Sequence, residues 1–346
     1  MATVEVPDYE LPEAAVAQRP PARRDSARLL DALDPSGPPV HRRVVELPGL
    51  LGPGDVMVVN NSRVLPARLR LFKATGGSAE VLLLEPHVSA PASGGADAVW
   101  TALVRPGRRL PPGTLLATGV GTPAVMEVGE RLDGGLRRVR FLADAAGVMA
   151  DHGSLALPPY IHTPLADPTR YQTVYAARPG SVAAPTAGLH LTEAVLARCR
   201  ARGVAVHTVD LAVGLATFRP VSASSVDDHE MHSETYHVPE ETWEACRAAQ
   251  RVVAVGTTTV RALESAAATG ALSGRTGLFI RGDFPFCVVD VLMTNFHQPR
   301  STLLLLLEAF AGARWRDLYR CALGEGYRFL SFGDAMIVGR RDVAPA

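Results

Sequence analysis

The chain has 346 residues, with 35 Lys+Arg against 35 Asp+Glu and a hydrophobic fraction of 47%. That length and hydrophobicity suit about two globular domains and exclude an intrinsically disordered chain. Zero net charge excludes a bulk polycation, so any nucleic-acid contact has to come from a local patch.

The first 65 residues mix turns with short apolar runs. Glu5, Asp8 and Glu10 with Pro7 and Pro12 do not make a signal peptide. After the turn Gly52-Pro53-Gly54, the run 55–60 (DVMVVN) reads as a buried strand. Residues 66–156 are strand-like: 67–72, 80–85, 99–104, 114–117, 124–128 and 136–141 are short β-type runs separated by Gly or Pro turns. Such spacing predicts a small antiparallel barrel, with the Ser- and Gly-rich stretch 89–97 as a hairpin tip. From 157 onward helices and strands alternate. Helices are expected over 192–202, 239–250, 257–269, 301–311 and 314–323, and strands over 204–211, 252–255 and 286–293. The expected fold is therefore α/β: a larger α/β domain (1–65 plus 157–346) with an inserted small antiparallel β-barrel domain (66–156).

Several chemistries can be set aside. Lys73 is the only lysine and Ala74 follows it, so no phosphate-binding P-loop is present. Cys199, Cys246, Cys287 and Cys321 are scattered, which excludes a CxxC pair and suggests reduced thiols in a cytoplasmic protein. The run Leu303–Leu307 stops at Glu308, far short of the ~18 apolar residues of a membrane span. The segment 119–124 (GVGTPA) matches a dinucleotide fingerprint in letters, but Pro123 and the alternation behind it predict a hairpin. In 229–234 (HEMHSE) the histidines are three apart, one short of zincin spacing, so no metal site is expected. Arg281-Gly282-Asp283 reads as a turn.

Other segments concentrate polar groups. Extended, His232 and Glu234 share one side, which suits acid/base or binding work as well as a solvated turn. The segment 252–261 (VVAVGTTTVR) is a strand, a Gly turn, three threonines and a helix start. Free N–H groups there bind carboxylate or phosphate, and three threonines exceed what one cap needs. Segment 295–302 (NFHQPRST) repeats that design with Asn295, His297, Arg300 and Ser301 at a strand end, where α/β domains place ligands. The segment 180–192 (GSVAAPTAGLHLT) is built of small residues and ends in His190. It reads equally as a ligand-hugging loop or a tight packing loop. Arginine clusters at 19–28, 105–109 and 137–140 are ordinary solvated charge unless they converge in space.

Taken in order, these segments carry a resemblance. YELPEAAVAQRP (9–20), RDSARLL (24–30), PGDVMVVNNSRVLPARL (53–69), LPPYI (157–161), RYQTVYA (170–176), GSVAAPTAGLHLT (180–192), ATFRPV (216–221), MHSE (231–234), VGTTTVRALES (255–265), VVDVLMTNFHQPRSTLL (288–304) and YRFLSFGDAM (327–336) are similar to the S-adenosylmethionine:tRNA ribosyltransferase-isomerase family of queuosine biosynthesis, almost end to end. The resemblance implies an α/β domain with an inserted barrel. It also implies that S-adenosylmethionine donates its ribosyl unit as co-substrate, with no metal. The implied acceptor is 7-aminomethyl-7-deazaguanine in the anticodon stem-loop of tRNA, and the products are epoxyqueuosine-tRNA, adenine and methionine. A monomer, free of membrane, is expected.

On this resemblance the acid/base candidates are His190, Glu234 and His297. The candidate substrate-binding residues are Asp25, Arg28, Asn60, Asn61, Arg63, Pro185, Thr186, Gly188, Leu189, Thr217, Phe218, Arg219, His232, Ser233, Gly256, Thr257, Thr258, Arg261, Asn295, Arg300 and Ser301. Thr257 and Thr258 are the candidate for the methionine carboxylate. The chain departs from the family pattern at Ala212, where a His is usual, and at Ala216, where a Gly is usual. Ala27, Leu191 and Arg281-Gly282-Asp283-Phe284 also depart. The fold should survive these changes. Ala212 and Ala216 keep two alternatives in view: the same chemistry on a small-molecule acceptor, and a non-catalytic nucleotide- or RNA-binding homologue.

Overall fold

The computed structural model describes residues 6–87, 95, 97–214, 231 and 233–341. By internal packing the chain divides into two compact units. One comprises Met1–Arg63, Pro158–Arg178 and Ala184–Ala346, and the other Val64–Leu157 with Pro179–Ala183.

The first unit is built on a nine-stranded sheet. Its order is Ser273–Thr276, Glu234–His237, Ala205–Leu211, Asp55–Asn60, Arg251–Val255, Val291–Asn295, Ala335–Gly339, Arg28–Ala32 and Val40–Arg43. Asp55–Asn60 is an interior strand with every residue buried: its Val-rich centre is apolar, and Asp55 and Asn60 at its two ends are buried with hydrogen-bond partners. It runs parallel to both neighbours, Ala205–Leu211 and Arg251–Val255. Val291–Asn295 is parallel to Arg251–Val255, whereas Ala335–Gly339 returns antiparallel beside it. Helix Glu193–Ala201 packs Val195, Leu196 and Cys199 onto Leu29, Met57, Val59, Val253 and Ile337 of one sheet face.

Helix limits follow local chemistry. The Thr192 hydroxyl accepts from the Val195 N–H and opens helix Glu193–Ala201. Helix Thr257–Thr269 begins after Gly256 and ends at Gly270, whose φ of 70° suits a glycine C-cap. The strand expected over 286–293 is instead Val291–Asn295. The reason is Glu264, a buried carboxylate that accepts the N–H groups of Cys287 (2.9 Å), Val288 (3.1 Å) and Val289 (3.0 Å). Those donors are spent before a sheet ladder can use them.

The second unit is a closed six-stranded antiparallel barrel. Arg68–Phe72, Ser78–Pro86, Val99–Arg105, Arg137–Phe141, Ala124–Arg131 and Thr114–Ala117 pair in that order, and Phe72 pairs back to Ala117. Alternation along Arg68–Phe72 puts Leu69 and Leu71 inside and Arg70 outside. The 119–124 segment is the turn between Thr114–Ala117 and Ala124–Arg131, with Gly121 at φ 83°; a strand, not a helix, follows it. Most of the stretch 89–97 lies outside the described residues. No helix among the described residues is long and apolar enough to cross a membrane.

Candidate functional site

A pocket opens where Arg251–Val255 and Val291–Asn295 end and their helices begin. Its lining is Tyr160, Ala184, Pro185, Thr186, Ala187, Val213, Gly256, Thr257, Thr258, Thr294–His297, Gln298, Ser301, Leu303, Leu330 and Ser331. Apolar walls thus surround a few convergent polar groups.

The first polar group is the start of helix Thr257–Thr269. Gly256 has φ 92°, a left-handed conformation that suits glycine, and no side chain caps the helix. Its first N–H groups therefore keep their capacity for an anion. The three threonines divide the work. Thr257 and Thr258 line the pocket. The Thr258 hydroxyl also accepts from the Asn60 amide at 3.3 Å, and Thr259 instead donates back to the Val255 carbonyl at 2.7 Å. Asn60 is fixed by donating to the Leu211 carbonyl at 3.0 Å.

The second group is Asn295. Its Nδ2 donates to the Leu330 carbonyl (3.2 Å) and lies 3.0 Å from His190 Nε2, while its Oδ1 accepts from the Thr186 hydroxyl (3.0 Å). This amide orientation makes His190 Nε2 an acceptor. Burial, with Arg328 and Arg24 adding to it, lowers the His190 pKa to about 4. His190 is thus a neutral prop for Asn295 and does not itself line the pocket.

His297 does line it. Its ring Nε2 is 3.0 Å from the Thr294 hydroxyl, and its backbone N–H donates to Tyr319 (2.8 Å). Burial lowers its pKa to about 3, so it too is neutral at pH 7. Glu234, the third acid/base candidate, is buried in an ion pair with Arg261 and accepts the Gly214 N–H at 3.0 Å. Of the three candidates, only His297 faces the pocket.

The remaining sequence candidates fall into separate groups. Pro185, Thr186, Gly256, Thr257, Thr258, Asn295 and Ser301 converge on the pocket, and Ser301 also caps helix Thr302–Ala311 through the Leu304 N–H. Arg300 stands beside it at φ 54° with its N–H on the Pro7 carbonyl. Gly188 does make a close approach, but to Tyr175: a Cβ there would sit 1.9 Å from the tyrosine hydroxyl. The Leu189 carbonyl accepts from Arg24 at 3.1 Å. Asp25 is buried and pairs with Arg23, and Arg28 lies over the Tyr327 ring at 3.7 Å. Arg63 donates to the Ala176 carbonyl, and the Asn61 carbonyl accepts from Ala177. Ser233 accepts from Arg275. Thr217, Phe218, Arg219 and His232, with Ala216, lie outside the described residues.

Tyr160, Gln298, Leu330 and Ser331 line the pocket without having been singled out by sequence pattern. Leu330 adopts φ 67°, which costs a residue with a Cβ about 1–2 kcal/mol. The surrounding loop holds it there. The Gly333 N–H bonds the Leu330 carbonyl (3.0 Å), the Asp334 N–H bonds Arg328 O (2.7 Å), and the Asp334 carboxylate accepts the Arg328 N–H (2.8 Å). Backbone strain held this way clusters at functional sites.

The family model for queuosine biosynthesis protein matches residues 4–338. A Rubrobacter xylanophilus protein named S-adenosylmethionine:tRNA ribosyltransferase-isomerase is 49% identical over 333 residues, covering 96% of each chain. A Thermus thermophilus protein of the same name is 47% identical over 357 residues, covering 98% of this chain and all of that one. The crystal structure of S-adenosylmethionine tRNA ribosyltransferase from Thermotoga maritima superposes with a TM-score of 0.54 at 34% identity, covering 96% of this chain and 100% of that one.

Proposed function

The chain belongs to the queuosine biosynthesis family of S-adenosylmethionine:tRNA ribosyltransferase-isomerases, and we propose that it transfers and isomerises the ribosyl unit of S-adenosylmethionine onto 7-aminomethyl-7-deazaguanine in the anticodon stem-loop of tRNA. Adenine and methionine are released and epoxyqueuosine-tRNA is formed. The observation that carries this reading is the uncapped helix start at Gly256-Thr257-Thr258, set in a pocket otherwise walled by Ala184, Pro185, Ala187, Val213 and Leu303.

The chemistry supplied by the substrate is the sulfonium, which acidifies hydrogen on the neighbouring 5′ carbon of the ribose. This chain's residues bind and orient. The helix N–H groups and the Thr257 and Thr258 hydroxyls hold a carboxylate. Asn295, locked by Thr186, His190 and Leu330, presents a fixed amide to the polar part of the ligand. The apolar walls exclude water, which strengthens each of these contacts. His297, neutral and held beside Thr294, is the pocket-facing group placed to hold a proton at its ring.

The test is to incubate the protein with S-adenosylmethionine, with and without tRNA carrying the deazaguanine. Equal, tRNA-dependent release of adenine and methionine is expected. Release with the free base but not with tRNA would instead support a small-molecule acceptor, the reading that Ala212, next to pocket-lining Val213, keeps alive. Binding without release would mean a non-catalytic homologue.

A further inference from the structure

We propose that Tyr160 and Ser331 form the ribose-recognition element of this pocket, a pair of hydroxyls that binds the 2′,3′-diol of the nucleoside. The proposal rests on the reading of S-adenosylmethionine as substrate and assigns residues to one end of it.

The two residues come from distant parts of the chain and meet in the pocket wall. Tyr160 Oη lies 2.7 Å from Ser331 Oγ. The Ser331 backbone N–H also bonds the tyrosine oxygen, and burial keeps the phenol protonated through the neutral range. The pair therefore offers both a donor and an acceptor. A cis-diol presents two oxygens at a similar spacing, each able to donate and to accept.

Both members are fixed from behind. Gln18 Nε2 donates to the Tyr160 carbonyl (2.8 Å), and Gln18 Oε1 accepts the His162 N–H (2.8 Å). Ser331 follows left-handed Leu330, in a loop that only glycine at 333 can close. A Cβ at Gly333 would sit 2.3 Å from the Arg328 carbonyl oxygen. A strained backbone thus delivers one hydroxyl to a second one, which nothing in the packing of the core demands.

Placement along the sheet edge selects the ribose. Val255 pairs with Met293, and Met293 with Ile337. The carboxylate end at Thr257 and the loop that feeds Ala335–Gly339 are therefore two strands apart, about 10 Å. An amino-acid carboxylate bound at Thr257 and Thr258 points the rest of the molecule, through its sulfonium, toward Ser331. The ribose is the next part of that molecule to arrive.

The test is steady-state kinetics of the full chain at saturating tRNA, with the 2′-deoxy and 3′-deoxy analogues of S-adenosylmethionine as competitive inhibitors. In the wild type the deoxy analogues are expected to bind about tenfold or more weakly than the parent, since a site built for a hydroxyl rejects its absence. Tyr160→Phe is expected to raise KM for S-adenosylmethionine about tenfold with kcat within threefold, and to abolish discrimination against at least one deoxy analogue. Ser331→Ala should do the same to a smaller extent, and it decides the matter if the tyrosine variant does not fold. Discrimination that survives in the folded variants overturns the proposal while leaving the substrate reading intact. So does a loss of affinity equal for parent and deoxy analogues. A wild type that releases no adenine overturns both.

Discussion

Two stretches of chain meet in the pocket and are built on opposite principles. The helix start at 255–259 is mostly local: a strand, a glycine and three threonines, with Thr259 bonded back to Val255 and the only longer ties running from Asn60 to Thr258 and from the Gly256 N–H to the Met293 carbonyl. The loop 328–334 is held by its own backbone hydrogen bonds and by the Arg28 N–H, which donates to Asp334 from the far side of the chain at 2.8 Å. The first can lose a side chain and remain a helix start. The second holds a strained residue only as long as every tie is present.

The largest expected effect concerns what anchors the helix. Glu234→Ala leaves the Arg261 guanidinium buried without its carboxylate, and denaturant unfolding should show a loss of about 3–5 kcal/mol. A smaller loss would mean that water reaches this part of the helix. Gly333→Ala tests the loop. The added methyl meets backbone, and the expected cost is about 3 kcal/mol, with activity lost at temperatures where the protein remains folded. A comparable loss of binding from Gly333→Ala and from Thr258→Val would erase the contrast between the two regions.

Acid sharpens the same contrast. His190 holds its proton less well in the folded chain, with a pKa near 4 against 6.5 when exposed. The unfolded chain therefore binds more protons as pH falls from about 6.5 to 4. Stability is full above that window and is lost by up to about 3 kcal/mol across it. His190→Gln should flatten this slope in unfolding curves taken at pH 7, 5.5 and 4.5. The smallest effect is expected from Ser301→Ala, which removes the cap of helix Thr302–Ala311 and should cost about 1 kcal/mol by thermal unfolding.

The same division explains what could be read from sequence. Helix Thr257–Thr269 agrees with expectation residue for residue, because Gly256 and Gly270 mark both ends locally. Thr114–Ala117 and Asp55–Asn60 agree equally well. Phe286 to Asp290 do not form the expected strand, because a single carboxylate, Glu264, takes the amides of Cys287, Val288 and Val289 from another element. Tyr160 and Ser331 are 171 residues apart and become neighbours only after folding. In sequence His190 and His297 read as acid/base candidates. Their composition says nothing of the burial that makes them neutral, which only the packed structure supplies.

The central strand Asp55–Asn60 has a further consequence, for synthesis. Both of its sheet partners, Ala205–Leu211 and Arg251–Val255, lie beyond the barrel in the chain. As the polypeptide leaves the ribosome, this largely apolar strand emerges before either partner and must wait, while the barrel strands between 68 and 141 pair among themselves. The order of assembly is thus vectorial, with the barrel ahead of the sheet that surrounds the pocket. The interval is one in which an exposed strand invites chaperone capture, and a stalled or truncated chain should be recovered as a folded barrel carrying a sticky leader.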